Sequence, residues 1–349
     1  MSGIAPTAES SDKSGTGPVP GYSGAEPVPG NSDTAPVPGN ARPGRSKLGR
    51  PRLLIVGCGD VGLRIVARVR ERFRIIATTT SADRLAAIRA AGAVPIRADL
   101  DDRRALARLH GFGSRAIFLA PPPNHGARDL RIRRFAASMP HGPYRHGGHG
   151  GHSGHCRRRP PLPAWVYIST TGVYGDRAGA WIDESVPARP ASERAVRRLD
   201  AERTARAARA CVLRVPGIYA QDRLPFARLR AGTPALAAAD DVHSNHIHAD
   251  DLARIAIVAL ARGRVTRVYN AVDDSDLKMA DYFDLVADAF ALPRPPRLPR
   301  AELRAVLSPI AYSFMSESRR LRNARMKREL RVALRFPTVA SALLRGLGS

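Results

Sequence analysis

The fold of this chain can be inferred from the stretch Arg52-Leu-Leu-Ile-Val-Gly-Cys-Gly-Asp-Val-Gly62. Its apolar residues 53–56 predict a strand that is buried on both faces. Three glycines follow in the spacing GxGxxG, and Val61, Ile65 and Val69 then recur with the period of a helix. A strand, a glycine-rich turn and a helix in this order predict a unit that binds a dinucleotide.

The three glycines have different expected functions in such a unit. Gly57 permits the sharp turn, Gly59 lets the backbone approach a pyrophosphate, and Gly62 lets the helix pack against the strand. The helix N-terminus offers free N–H groups and the positive end of a dipole to the phosphates. The predicted phosphate-binding residues are Gly57, Cys58, Gly59, Asp60, Val61 and Gly62.

The end of the second predicted strand, residues 73–78, bears on the choice of cofactor. An enzyme that prefers NAD usually carries Asp or Glu there, to accept hydrogen bonds from the ribose 2′-hydroxyl. This chain has Thr79 and Thr80 instead, with Arg84 one turn later. Because hydroxyls and a guanidinium suit a 2′-phosphate better, we predict NADP(H) in preference to NAD(H). Alternatively, Asp83 could take the role of that carboxylate, which would favour NAD(H).

Further strands are predicted at 94–99 and 116–120 and from Trp165 onwards, with helices between them. This alternation predicts an α/β fold with a doubly wound parallel sheet of the Rossmann type. Asp99 is expected either to accept a hydrogen bond from an adenine amino group or to cap the next helix. The strand ends add predicted cofactor contacts at Leu100, Ala120, Pro121, Ser169 and Pro216.

The net charge of +25 raises the hypothesis of a nucleic-acid partner. The arginines, however, are spread over almost every predicted helix rather than gathered into one stripe. Aromatic residues for base stacking are few, at 5% of the chain. We therefore expect no nucleic-acid partner and interpret the arginines as surface residues.

The three cysteines show no pairing pattern, which favours a reducing cytoplasm. No stretch reaches the roughly 18 continuous apolar residues of a transmembrane helix, and the N-terminus lacks the apolar core of a signal peptide. We expect a cytoplasmic protein with a small-molecule substrate and no membrane partner, and leave a homodimer open as its assembly.

Two segments of low complexity are expected to lie outside the fold. Pro-Val-Pro-Gly recurs at 18–21, 27–30 and 36–39, and the tail 1–50 is predicted to be disordered. The segment 140–163 is rich in Gly and His and could gather Zn²⁺ or Ni²⁺. Because it offers no rigid frame for ligands, we predict a flexible insertion and no biological metal site.

Four later stretches carry a resemblance to a known family, over residues from about 52 to the C-terminus. They are Trp165-Val-Tyr-Ile-Ser-Thr-Thr-Gly-Val-Tyr-Gly175, Leu213-Arg-Val-Pro-Gly-Ile-Tyr219, His246-Ile-His-Ala-Asp-Asp-Leu252 and Val268-Tyr-Asn-Ala-Val272. Together they resemble the short-chain dehydrogenase/reductase superfamily, and most of all its extended and atypical branch with NAD-dependent epimerases and dehydratases. The glycine that this branch has after Tyr219 is Ala220 here.

The resemblance implies a catalytic site with one substitution. Thr170 matches the hydroxyl that binds the substrate oxygen. In the family's Tyr-x-x-x-Lys pair, Arg194 occupies the tyrosine place and Arg198 the lysine place. Arg198 could still clamp a ribose or phosphate, but a guanidinium cannot serve as the proton-transfer group.

Another proton carrier is therefore needed if hydride transfer is retained. Tyr174 is the nearest candidate, with packing against its loop as the alternative. His246 and His248 are of a residue type that can exchange protons near neutral pH, but they are better explained as structural residues. Asp250 and Asp251 are expected to cap the next helix.

The expected organisation and function follow from these observations. A Rossmann domain spans 51–215, and a mostly substrate-side lobe spans 216–349, of which about 249–272 returns to the Rossmann domain. The leading hypothesis is an NAD(P)-dependent oxidoreductase or epimerase-like enzyme that transfers hydride between a nicotinamide and a carbonyl or alcohol. The alternative, motivated by Arg194, is a catalytically silent NAD(P)-binding sensor or scaffold.

Overall fold

The architecture is that of a computed structural model in which residues 49–109, 111–139 and 162–347 are described. The predicted tail lies outside these ranges apart from its last two residues, and so does the His/Gly-rich segment as far as residue 161.

The described chain alternates strands and helices. The strands are β1 (Arg52–Val56), β2 (Arg74–Thr79), β3 (Val94–Arg97), β4 (Arg115–Phe118), β5 (Trp165–Thr170), β6 (Trp181–Ile182), β7 (Cys211–Val215), β8 (Gly217–Tyr219), β9 (Ala235–Leu236), β10 (His243–Ser244), β11 (His246–His248), β12 (Val268–Asn270), β13 (Leu277–Lys278), β14 (Arg297–Leu298) and β15 (Arg320–Leu321). The helices are α1 (Asp60–Val69), α2 (Arg84–Ala90), α3 (Arg103–Arg108), α4 (Leu130–Ser138), α5 (Glu193–Ala207), α6 (Phe226–Arg230), α7 (Ala249–Arg262), α8 (Met279–Ala289), α9 (Arg300–Val306), α10 (Pro309–Ser313), α11 (Ala324–Leu330) and α12 (Val339–Leu347). Among the described residues, no helix has the length and apolar character needed to cross a membrane.

Seven strands form one parallel sheet in the order β12-β7-β5-β4-β1-β2-β3. The chain moves outward from β1 to β3 and then returns to the other side of β1 with β4. This reversal is the switch point at which open α/β sheets bind ligands beyond the carboxyl ends of their strands. The predicted Rossmann-type fold is confirmed.

Strand β1 is buried on both faces, as its apolar run predicts. Leu53 and Ile55 belong to one apolar cluster, with side chains of α1 and α7. Leu54 and Val56 point to the opposite face and join a second cluster with α4 and α5. Helices therefore cover both faces of the sheet, and its carboxyl edge remains for a site.

The C-terminal part of the chain has an apolar cluster of its own, which includes Leu236, Phe283 and Leu303. Strand β12, in contrast, pairs with β7 in the central sheet. The boundary predicted at 215/216 between the two domains stays a prediction.

The predicted caps of helix α7 are wrong. Its N-cap is His248, whose Nδ1 accepts from the N–H of Asp250, so Asp250 and Asp251 lie within the first turn. Helix α2 begins after Asp83, which makes no side-chain cap bond.

Two positions in the family-like motifs differ in their need for glycine. Gly175 has φ +66°, and an added Cβ would meet the carbonyl oxygen of Arg189, so glycine is required there. Ala220 has φ −164°, an extended conformation that any residue adopts. The alanine at 220 therefore fits its turn without strain.

Candidate active site

The glycine-rich turn is fixed by its neighbours in the sheet. Gly57 has φ +83°, and a Cβ there would lie 2.7 Å from the backbone nitrogen of Ala120. The N–H of Gly57 donates to Thr78 Oγ1 at 3.0 Å, and that of Cys58 donates to the carbonyl of Thr78 at 2.7 Å. The ends of β2 and β4 thus hold the turn in a conformation that requires glycine.

The N-terminus of helix α1 is open. Its N-cap, Gly59, has no side chain to accept from the first-turn N–H groups. A Cβ on Gly59 would have Arg84 Nη1, at 3.7 Å, as its nearest neighbour. Gly62 lies against Cys58, whose Sγ would be 2.9 Å from an added Cβ. This arrangement of uncapped N–H groups and open backbone fits a pyrophosphate.

The predicted contacts at Cys58, Asp60 and Val61 can be made only by their backbones. The thiol of Cys58 is buried, and burial raises its pKa to about 11. The carboxylate of Asp60 is paired with Arg64 at 2.9 Å and with Arg223 at 3.4 Å. Val61 is buried in the core.

The end of β2 combines hydroxyls with a free guanidinium. Thr79 is buried, Thr80 is exposed, and Arg84 is exposed above the glycine-rich turn. Within the described part of the chain, Arg84 makes no hydrogen bond or ion pair. Asp83 stands at the start of α2 with no side-chain cap bond. Arg84 therefore lies close to Gly59 and, as far as the described residues show, is free to bind an anion.

At the end of β3, Asp99 is exposed and Leu100 is buried. Asp99 Oδ1 accepts from the N–H of Asp101 at 2.9 Å, whereas Asp102 Oδ1 accepts from the N–H of Arg104 in the first turn of α3. Asp102 therefore caps the helix, which removes that alternative for Asp99.

The neighbouring hydroxyls at the end of β5 serve different purposes. Thr170 is half-buried, and its Oγ1 accepts from the N–H of Gly172 at 3.2 Å. Its proton therefore remains free to donate. Ser169 is buried and donates from Oγ to Glu202 Oε1 at 2.6 Å. Of the two side chains, only Thr170 is available to a ligand.

Arg198 lies at the carboxyl ends of β4 and β5. Its Nη1 donates to the carbonyls of Ile168 at 3.0 Å and Ala120 at 3.4 Å, and to Tyr167 Oη at 2.9 Å. It is 7% exposed, and its Nε has no acceptor among the described residues. A buried N–H without a partner is unfavourable, and a ligand oxygen would satisfy it. Pro121 is exposed and Pro216 partly exposed, at the ends of β4 and β7 respectively.

The hydroxyl of Tyr174 is already bonded within the fold. It donates to Asn270 Oδ1 at 2.8 Å, and the Arg214 guanidinium lies 4.5 Å from the ring centre. The side chain is fully buried, and burial raises its pKa. These contacts argue against the proton-carrier role and favour packing.

The two histidines are structural. His246 is buried, and burial lowers its pKa to about 4. His248 caps α7 and stacks on Phe336, with ring centres 3.8 Å apart. No group of three or more His, Cys, Asp or Glu side chains within the described ranges could hold a metal ion.

The structure adds a buried ion pair that the sequence analysis missed. Glu202 Oε2 and Arg214 Nη2 are 2.7 Å apart, and both side chains are almost fully buried. Burial alone would lower the pKa of Arg214, but Glu202 raises it above its ordinary value. A signal was present, because an arginine within an apolar strand needs a buried partner.

A cavity of about 580 Å³ lies elsewhere, beside α1 and α12. Arg64, Tyr219, His248, Phe336 and Leu343 are among its lining residues. No residue of the predicted site lines it.

Comparison with known proteins places this fold among solved structures. No profile of a known protein family and no curated protein matches the chain. A functionally unknown conserved protein from Silicibacter pomeroyi is 28% identical to this chain. The match covers 85% of this chain and 98% of that protein, with a TM-score of 0.66.

Two further similar structures carry the names of epimerases or dehydratases. A putative NAD-dependent epimerase/dehydratase from Methylobacillus flagellatus is 22% identical, covering 86% of this chain and 99% of its own, with a TM-score of 0.60. UDP-glucose 4-epimerase from Thermotoga maritima, solved with UDP-glucose, is 14% identical. The match covers 85% of this chain and 97% of the epimerase, with a TM-score of 0.64. The chain has the Rossmann-type fold of the NAD-dependent epimerases and dehydratases. The resemblance predicted from its motifs is therefore confirmed for the fold.

Proposed function

We propose that this chain is an NAD(P)-dependent oxidoreductase or epimerase-like enzyme of the atypical short-chain class. The observation that carries the proposal is the open N-terminus of α1 behind a turn that only glycine can form. Similar structures include a putative NAD-dependent epimerase/dehydratase, which supports the same class.

The residues at the carboxyl edge fit a dinucleotide. The N–H groups after Gly59 would bind the pyrophosphate, and the Nε of Arg198 would donate to a ribose or phosphate oxygen. Asp99, with one carboxylate oxygen free of the Asp101 contact, would accept from the adenine amino group. When bound, the nicotinamide supplies a hydride donor or acceptor for a carbonyl or alcohol.

Thr170 would position the reacting oxygen of the substrate. Its Oγ1 already accepts from Gly172, so its proton points away from that N–H and can donate to a carbonyl oxygen. Because Arg194 and Arg198 stay protonated at neutral pH, neither exchanges the proton. We propose that the Thr170 hydroxyl relays this proton between the substrate oxygen and water.

The function is tested by following absorbance at 340 nm with purified protein, NADP⁺ or NADPH, and a broad panel of alcohols and carbonyl compounds. We expect oxidation or reduction of the nicotinamide with at least one class of substrate. Cofactor binding without turnover across the whole panel would contradict the enzyme proposal.

The cofactor preference is proposed to be NADP(H). In fluorescence titrations we expect NADPH to bind at least about tenfold more tightly than NADH, which corresponds to about 1.4 kcal/mol from one charged contact. Arg84→Ala should remove this preference by weakening NADPH binding alone, since the guanidinium lies above the turn and has no partner among the described residues.

Arg89→Ala is the matched control, because Arg89 is an exposed arginine on the same helix. It should leave both affinities unchanged. Tighter binding of NADH by the unaltered protein would contradict the preference and give the selector role to Asp83.

Thr170→Val should lower kcat/KM by about 100-fold, the usual cost of one hydrogen-bond donor to the reacting oxygen. Thr170→Ser retains the hydroxyl and should keep most of the activity. The measurement is steady-state kinetics on whichever substrate the panel identifies, with NADPH affinity as the check on the fold. Equal activity of the Val and Ser variants would exclude Thr170 from the reaction.

The second candidate function is a cofactor-binding sensor or scaffold without turnover. Arg194 favours it, because a guanidinium stands where the family has its proton-transfer tyrosine. It predicts tight cofactor binding, no hydride transfer, and a partner whose affinity depends on the bound nucleotide. The substrate panel separates the two functions.

A further inference from the structure

Helix α5 carries three arginines at the carboxyl edge of the sheet. Arg194 and Arg198 are four residues apart, and therefore lie on the same face of the helix, one turn of about 5.4 Å from each other. Because α5 starts beyond the end of β5 and runs back along the sheet, Arg194 lies outside Arg198, above the strand ends. Arg197 completes the group and donates to the carbonyl of Gly126 at 3.0 Å.

This group has unused hydrogen-bond donors. Arg197 and Arg198 are 5% and 7% exposed, and the Nε of each has no acceptor among the described residues. Arg194 is exposed, and in the described parts of the chain it makes no hydrogen bond or ion pair. Burial of part of its side chain, together with Arg198 and Arg197, lowers the pKa of Arg194. Among the described residues, Arg194 therefore has two cationic neighbours and no paired carboxylate.

The acidic side chains nearby do not neutralise the group. Glu193 lies 3.3 Å from Arg197 but is 89% exposed, so solvent screens the pair. Asp129 is buried, caps α4 at Ile132 and attracts the charge of Arg198, while burial raises its pKa. Glu202 is already paired with Arg214. No carboxylate among the described residues is therefore left to pair with Arg194.

We propose that Arg194 is a substrate-binding residue. Its guanidinium binds a small oxyanion of the substrate, a carboxylate or phosphate group close to the reacting carbon. The planar guanidinium suits the two oxygens of such a group, and Arg198 adds charge from the same face. Thr170 would hold the reacting oxygen while Arg194 holds the anion. This inference rests on the proposed function, since it places the substrate of that function.

The test is calorimetric titration of inorganic phosphate and, separately, oxalate into the full-length protein saturated with NADPH, at low ionic strength. We expect saturable binding of one anion per chain. Arg194→Leu should weaken it at least tenfold, and Arg194→Lys should restore part of the affinity. Arg203→Leu is the matched control, because Arg203 is an exposed arginine on the opposite side of the same helix.

Three outcomes would overturn the proposal. The first is that neither anion binds saturably, and the second is that the Arg194 and Arg203 variants lose affinity for the anion equally. The third is that the anion binds to cofactor-free protein and NADPH abolishes this binding. The last would assign the arginines to the cofactor's own phosphates. Failure of the proposed function is seen separately, as a failure of NADPH itself to bind or as cofactor binding without turnover across the substrate panel.

Discussion

Glu202→Ala is expected to lower the free energy of unfolding by about 3–5 kcal/mol, because it leaves the Arg214 charge buried without a partner. Ser169 loses its acceptor at the same time. The change should appear in urea denaturation, and as a fall in Tm on the order of 10 °C.

Two variants make this result specific to the buried pair. Glu193→Ala removes an exposed glutamate from the same helix and should cost less than about 1 kcal/mol. The double variant Glu202→Met/Arg214→Met removes both charges and should recover most of the lost stability. If Glu202→Ala and Glu193→Ala were equally stable, the buried pair would not contribute as described.

Gly57→Ala is expected to abolish cofactor binding, raising the Kd for NADPH by at least about 100-fold. An alanine at position 57 would be strained at the positive φ of this residue, and its Cβ would overlap the backbone of Ala120. The turn would therefore have to move. A penalty of about 2.7 kcal/mol on the bound conformation corresponds to the 100-fold loss. Fluorescence titration with NADPH measures it.

Gly59→Ala separates the shape of the turn from contact with the ligand. Gly59 has φ −90°, and its nearest neighbour, a flexible arginine, is 3.7 Å from the added Cβ. Stability should therefore change by less than about 0.5 kcal/mol, while NADPH binding falls at least tenfold because the methyl group obstructs the pyrophosphate. Unaltered binding would mean that the phosphates do not approach the backbone at Gly59.

The features that sequence predicted well are local ones. The strand, turn and helix from Arg52 to Val69 follow from one apolar run, three glycines and a helical period, and the structure confirms them. Thr170 was chosen from the family resemblance, and its role stays a prediction, although its hydroxyl at the end of β5 is free to donate. The parallel order of the sheet follows from the alternation of strands and helices and is confirmed as well.

The features that sequence could not predict depend on residues distant in the chain. Ser169 and Thr170 are adjacent hydroxyls, and only the position of Glu202 on a later helix shows which one is free. Tyr174 was an attractive proton carrier until Asn270, on the last strand of the sheet, proved to hold its hydroxyl. The free Nε–H of Arg198 could be recognised only once Nη1 was seen to donate to the carbonyls of Ala120 and Ile168 and to Tyr167 Oη.

The separation of tasks along helix α5 bears on how such a protein can diversify. Arg198 joins the ends of two strands, so its replacement would disturb the scaffold. One turn away, Arg194 makes no hydrogen bond or ion pair with the residues that the structure describes. Selection can therefore exchange the residue at 194 at little cost in stability, and under the proposed function such an exchange would change which substrates bind while the cofactor site stays intact.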